Sequence, residues 1–263
     1  MEVILQPNEQ QAARLTARLI ARQIRRKPDS VLGLATGRTV EPVYDELVRM
    51  HREEELDFAR CRTFNLDEYV GLAPEDPNSY RATMNRLLFS RVNIDPAHTH
   101  VPNGRAENLK IECRSYEDRI ADCGGIDLQL LGIGTTGHIG FNDPLSALRS
   151  RTRDKTLAPE TLEQNAPFFG GDPARMPRRA LTMGVGTIME ARSLLMLVTG
   201  AKKADILARA VEGPVTASIS ATAIQFHPDC RVIVDEAGGA KLTGTAYYRW
   251  IFENDPDWAE FLE

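Results

Sequence analysis

No apolar run in this chain approaches the roughly 20 residues that a membrane-crossing helix requires. The four cysteines, Cys61, Cys113, Cys123 and Cys230, lie far apart and form no CxxC pair, so neither zinc nor dithiol redox chemistry is indicated. They read as free thiols of a cytoplasmic protein. Positive charge is not in excess either. A net charge of −5 argues against a general nucleic-acid binder, and an anionic small substrate would need a basic pocket inside an acidic chain. Internal repeats, low-complexity tracts and linker-like stretches are missing as well, which excludes solenoids and leaves nothing to divide the chain. The opening MEVILQPNEQ is too short and too acidic to read as a secretory signal. What remains is 263 residues, 42% hydrophobic and 26% charged, an ordinary globular composition.

The richest stretch is 126–144, IDLQLLGIGTTGHIGFNDP. Its first part is nearly all apolar, as in a parallel strand covered on both faces. Gly132, Gly134 and Gly137 then turn the chain, and His138 follows at once, before Asn142, Asp143 and Pro144. A loop at the carboxyl end of a parallel strand is where open α/β sheets bind ligands. A plain glycine turn beside a hydrogen-bonded histidine would leave the same pattern.

Taken in order, strands are expected at 3–5, 30–35, 61–66, 128–133, 194–198 and 231–234. Helices are expected at 8–26 with Asn8 as N-cap, then after residue 39, from 80 to about 89, over 107–123, 201–211 and 243–252. This alternation predicts an α/β fold with a single doubly wound, mostly parallel sheet flanked by helices, in one domain, 1–263. The stretch 157–179 carries prolines, glycines and the pair Phe168-Phe169 without a sustained period, and reads as a lid. An acidic, aromatic tail occupies 253–263.

Three local patterns carry chemistry. After the second strand, Thr36-Gly37-Arg38-Thr39 leads into a helix, a general form of anion cradle that lacks the P-loop signature. Asp67 and Glu68 stand at the end of the third strand, where a base, a helix cap and a solvated edge are all compatible. Lys202 and Lys203 sit at a helix start, against the dipole preference for acids, and an anionic ligand would account for them.

The motifs LGLATGRT, FNLDEYVGL, GIGTTGHIGFNDP, SRTRDKTL, RALTMGVGT and VTGAKKADILARAVEG, in this order, resemble the glucosamine-6-phosphate deaminase (isomerase) family. GHIGFNDP followed by SRTRDKT is more similar to the deaminases than to the related phosphogluconolactonases. The resemblance implies a Rossmann-like fold. It also implies conversion of glucosamine 6-phosphate and water to fructose 6-phosphate and ammonia, with no metal and no cofactor. His138 matches the ring-opening residue and Asp67 the enolisation residue. Thr36, Gly37, Thr39 and Lys203 match the phosphate contacts. Ser146, Arg153, Lys155 and Thr156 resemble the positions that bind N-acetylglucosamine 6-phosphate between subunits in allosteric hexamers. A solvated basic strand edge is the alternative for that segment. The family includes monomers and hexamers, so a homo-oligomer is allowed but not specified.

Three departures stand out. Thr136 replaces a usual Asp or Asn that helps set the histidine's state, and Asp143 replaces a Glu, losing one methylene of reach. Pro167 stands before the aromatic pair where many members carry an arginine; Arg38, in the phosphate turn, is our candidate for the missing cation. The expected partner is thus a small phosphosugar, with neither nucleic acid nor membrane involved. Galactosamine 6-phosphate as substrate, and a non-catalytic sugar-phosphate sensor, are the competing readings.

Overall fold

The computed structural model describes residues 1–262, so Glu263 of the expected tail lies outside the described residues. Strand β1 (Glu2–Gln6) runs into helix α1 (Glu9–Arg26), whose start is fixed by Asn8 accepting the Gln11 amide at 2.9 Å. Strand β2 (Val31–Leu34) precedes α2 (Glu41–Glu53), which buries Val43, Leu47 and Met50 on one face, as the spacing predicts. Then come β3 (Arg62–Asn65), β4 (Asp67–Tyr69), α3 (Tyr80–Leu87), β5 (Thr99–His100), α4 (Leu109–Asp122) and β6 (Leu128–Leu131). The second half holds β7 (Arg153–Thr156), α5 (Pro159–Asn165), β8 (Arg179–Thr182), α6 (Val185–Met189), β9 (Ser193–Val198), α7 (Ala204–Val211), β10 (Cys230–Asp235) and α8 (Thr245–Asn254).

Seven strands form a parallel sheet in the order β1-β10-β9-β6-β2-β3-β5. Every residue of β2, β6 and β9 is buried, which requires helices on both faces of the sheet. This is the α/β architecture expected. From β2 the chain steps outward through β3 to β5, then returns to β6 and steps the other way through β9 to β10. The order therefore reverses between β2 and β6, and the crevice beyond their carboxyl ends is the natural ligand position.

A second, three-stranded antiparallel sheet, β4-β8-β7, was not anticipated from the sequence. Its strands are only three or four residues long, and β7 reads as a charge run, RDKT, rather than a β pattern. β5, only two residues long, is too short to leave a period. The lid also carries more order than its composition suggests. It holds α5 and the short turns Ala166–Phe169 and Pro173–Arg175, and its ends are joined by β7–β8 pairing and by Leu157 N–H donating to Arg178 C=O at 2.9 Å. Among the described residues, no helix is long and apolar enough to cross a membrane.

Candidate active site

The phosphate-type turn follows β2 and the glycine loop follows β6, so the sheet order sets them side by side at its reversal point. In the glycine loop the backbone folds back on itself, with Gly134 N–H donating to His138 C=O at 2.9 Å. Gly134 must lack a side chain, because a Cβ there would overlap the His138 imidazole. The far end is pinned from within: the buried Asn142 amide donates to Ile139 C=O at 2.9 Å and Met183 C=O at 2.8 Å. Ser220 adds a bond to each side, accepting from Ile139 N–H and donating to Asn142 C=O. His138 is thus held on a loop pinned by hydrogen bonds at both of its ends.

Around the imidazole stand the two residues that depart from the family pattern. Thr136 Oγ1 lies 2.8 Å from His138 Nδ1, and Asp143 Oδ1 lies 3.6 Å from the same nitrogen. Burial pulls the imidazole below its ordinary pKa, Asp143 pushes it back up, and Lys203 adds to the lowering. With two oxygens beside Nδ1, that nitrogen is the favoured seat of the ring's proton, which leaves the other nitrogen free to accept one.

The two consecutive acids have different fates. Glu68 caps α3 together with its N-cap Ser79: Ser79 accepts the Ala82 N–H, and the Glu68 carboxylate accepts the backbone N–H groups of Tyr69, Tyr80 and Arg81. Asp67 caps nothing. No protein donor among the described residues reaches its carboxylate, although the residue is only 7% exposed. Burial, then the neighbouring Glu68 charge, pushes Asp67 up to about 8. Asp67 is aimed by β4, where it pairs with Thr182 of β8. Gly140, two residues beyond His138, lets the glycine loop pass this point: a Cβ there would lie 3.0 Å from Thr182 Oγ1 and 3.6 Å from Asp67 Oδ2, at a backbone φ of 54°. The carboxylate and the imidazole loop therefore meet at Gly140.

Cations stand close by. Lys203 lies in the short turn Ala201–Lys203 ahead of α7, half-buried, and burial lowers its ammonium from the usual lysine range. No carboxylate pairs with it among the described residues. Asp235, at the end of β10, shapes its approach by accepting Gly200 N–H at 2.9 Å and Gly238 N–H at 2.8 Å. Lys202, by contrast, is exposed. In the turn after β2, Thr36, Gly37 and Thr39 are partly exposed, and Arg38 projects with its guanidinium 5.1 Å from the centre of the Phe168 ring. That ring belongs to the lid.

The lid is docked on the site at several points. Gln164 Oε1 accepts Thr135 N–H at 2.9 Å and the Thr135 hydroxyl at 2.8 Å. Asp143 accepts Ala158 N–H at 2.9 Å and the Thr161 hydroxyl at 2.6 Å. Phe169 joins Tyr69, Phe141 and Met176 in a small apolar cluster separate from the main core. Sequence reasoning offered a cap for the Asp67-Glu68 pair without assigning it to Glu68, and it missed Thr161, Gln164 and Asp235. Each acts through partners distant in the chain, which no local pattern encodes.

The basic segment separates into engaged and unengaged residues. Arg151 pairs with Glu117 and Glu190, and Arg179 with Asp154. Arg153 and Lys155, on one face of the edge strand β7, pair with no carboxylate among the described residues, and Arg153 is partly buried. Thr156 is exposed, while Ser146 is buried with its hydroxyl unpartnered. No hydrogen bond joins Ser146 to these three. Among the described residues no cluster of three or more His, Cys, Asp or Glu has a metal-holding arrangement. The crevice thus offers an imidazole, an unpaired carboxylate and two cations, a set suited to proton transfers on an anionic substrate.

The pattern of the family described as glucosamine-6-phosphate isomerases/6-phosphogluconolactonase matches residues 6–232. A glucosamine-6-phosphate deaminase from Arthrobacter sp. (strain FB24) is 49% identical over 258 residues, 98% of this chain and 99% of the relative. One from Hahella chejuensis is 47% identical over 251 residues, 95% of each chain. The solved structure of a monomeric glucosamine-6-phosphate deaminase superimposes with a TM-score of 0.90 at 40% identity, covering 92% of this chain and 100% of that one. A 6-phosphogluconolactonase from Trypanosoma brucei, at 18% identity and a TM-score of 0.72 over 92% of this chain and 98% of that one, shares the fold alone.

Proposed function

Because the chain belongs to the family of glucosamine-6-phosphate isomerases and 6-phosphogluconolactonases, we propose that its crevice is the active site of a deaminase that converts glucosamine 6-phosphate and water to fructose 6-phosphate and ammonia. His138 opens the sugar ring, taking the C1 hydroxyl proton and delivering a proton to the ring oxygen. Asp67 then takes the C2 proton, now adjacent to a carbonyl, and returns it to C1. Water adds at C2 and ammonia departs. Thr36, Gly37, Arg38, Thr39 and Lys203 bind the phosphate, whose binding energy orients the reacting carbons. Thr136 and Asp143 set the state of the imidazole. The reacting unit is the chain taken as one domain, with 157–179 as its lid.

One observation carries this reading. A carboxylate that makes no protein hydrogen bond is kept buried beside the histidine loop, while its sequence neighbour Glu68 accepts backbone amides at the start of α3. A structural acid would be bonded; an acid reserved for a substrate proton would not. A separate part of the proposal concerns Ser146, Arg153, Lys155 and Thr156, which we read as a second phosphosugar site. The unpaired Arg153 and Lys155 and the unpartnered Ser146 hydroxyl support it.

Ammonia release measured with glucosamine 6-phosphate, galactosamine 6-phosphate and their N-acetyl forms tests the reaction. Release from glucosamine 6-phosphate and none from the N-acetyl sugars is expected. No release from glucosamine 6-phosphate would overturn the assignment.

A further inference from the structure

The two oxygens of Asp143 face different ways. Oδ1 lies 3.6 Å from His138 Nδ1 and accepts the Thr161 hydroxyl at 2.6 Å, while Oδ2 accepts Ala158 N–H at 2.9 Å. Both donors belong to the lid, since Ala158 immediately precedes α5 and Thr161 lies in its first turn. Thr161 is 1% exposed, so its hydroxyl is not shared with solvent. A carboxylate paired with a protonated imidazole approaches to about 2.7–2.9 Å. Asp143 stands well short of that, and Thr161 anchors the oxygen nearest the imidazole.

We propose that Thr161 is a positioning residue for the deamination. By donating to Asp143 Oδ1 it keeps that oxygen from pairing with His138 whenever the lid is docked. The inference rests on the reading of His138 as the ring-opening group. Two charged groups act on the imidazole: Asp143 from its own loop, which favours the protonated ring, and Lys203 from the turn before α7, which opposes it. Burial opposes it most strongly. A hydroxyl donated to a carboxylate oxygen draws off part of the charge that oxygen offers to others. Thr161 therefore weakens the one influence that favours the protonated ring. With Thr161 seated, the neutral ring that can take the C1 hydroxyl proton is favoured. With Thr161 withdrawn, Asp143 Oδ1 is free to move closer to Nδ1, beside Thr136 Oγ1, and the protonated ring gains favour.

The test is a nitrogen NMR titration of the histidine ring in the substrate-free protein, with His138→Gln identifying the signal. Thr161→Val keeps the shape and removes the donor, Thr161→Ser keeps the donor, and Thr161→Ala guards against distortion by the added methyl. Thr161→Val and Thr161→Ala should move the His138 midpoint to higher pH by roughly half a unit or more, whereas Thr161→Ser should leave it in place. On an Asp143→Asn background, Thr161→Val should move nothing. If the midpoint is unmoved by Val and Ala, or moves equally on the Asn background, Thr161 merely anchors the lid and the proposal falls. The titration needs no substrate, so a failure of the ammonia assay would bear on the reaction and not on this result.

Discussion

Thr136 Oγ1 lies 2.8 Å from His138 Nδ1, closer than any carboxylate oxygen comes to that nitrogen. The imidazole is therefore oriented by a hydroxyl, with the negative charge of Asp143 a step further away. A hydroxyl can accept the ring's N–H or donate to its lone pair, so it fixes direction without fixing charge. Thr136→Val should therefore slow ring opening by about tenfold, and His138→Gln by roughly a hundredfold or more. Both losses should shrink with a fixed open-chain substrate analogue, because it bypasses the step. Equal losses with cyclic and open-chain substrates would assign the pair a structural role instead.

Asp67 should tie activity and stability to pH in opposite senses. Its folded-state pKa of about 8 lies above the roughly 3.9 of an unfolded aspartate. Below about pH 4 the carboxyl is neutral in both states and destabilises nothing. From there to about pH 8 the unfolded chain ionises first, so stability falls as pH rises. Asp67→Asn removes this slope, and its unfolding free energy should exceed that of the parent by a margin that grows from pH 5 to pH 8, on the order of a few kcal/mol. Deamination should disappear while phosphosugar binding persists. In the parent, kcat/KM should fall about tenfold per unit as pH drops below 8. A variant with near-normal turnover, or one that gains no stability, would refute the assignment.

Arg38 is held at the mouth of the crevice by the ring of Phe168, 5.1 Å from its guanidinium. Arg38→Ala should raise KM for glucosamine 6-phosphate roughly tenfold, about 1.5 kcal/mol. That is the low end for a charge-assisted contact, as suits an exposed side chain. Phe168→Ala should have a smaller effect in the same direction. Unchanged KM in Arg38→Ala would leave Lys203 as the phosphate's cation and end the idea that Arg38 replaces the lid arginine.

The second phosphosugar site is tested by measuring rate against substrate concentration, with and without N-acetylglucosamine 6-phosphate, alongside solution mass. Sigmoidal kinetics turned hyperbolic by that sugar, in a hexamer, and lost in Arg153→Ala, are expected. Hyperbolic kinetics from a monomer indifferent to the sugar would return Arg153 and Lys155 to the role of a solvated edge.

The sequence makes the large sheet legible because its central strands are continuous apolar runs bounded by glycine turns. Asn8 likewise announced α1 through its own side chain. His138 and the Thr36–Thr39 turn are legible for a similar reason, since each sits at a strand end that its own neighbours define. The division of labour between Asp67 and Glu68 is not. It depends on the start of α3, a dozen residues further on, reaching Glu68 and not Asp67. The short antiparallel sheet escaped notice because burial of β7 is only partial and its residues, Arg153 to Thr156, are polar.

That small sheet closes the base of the lid. Thr156 pairs with Arg179, and Leu157 N–H meets Arg178 C=O, so everything between them is an excursion that leaves and re-enters the protein at one place. Such an excursion is a cassette. Its length and sequence can change without re-registering β4, β8 or β7, since lengthening a loop whose ends are already joined costs only about 0.6 kcal/mol per doubling. Transplanting the segment between Thr156 and Arg179 from a relative would therefore exchange what covers the substrate and leave the aim of Asp67 unchanged.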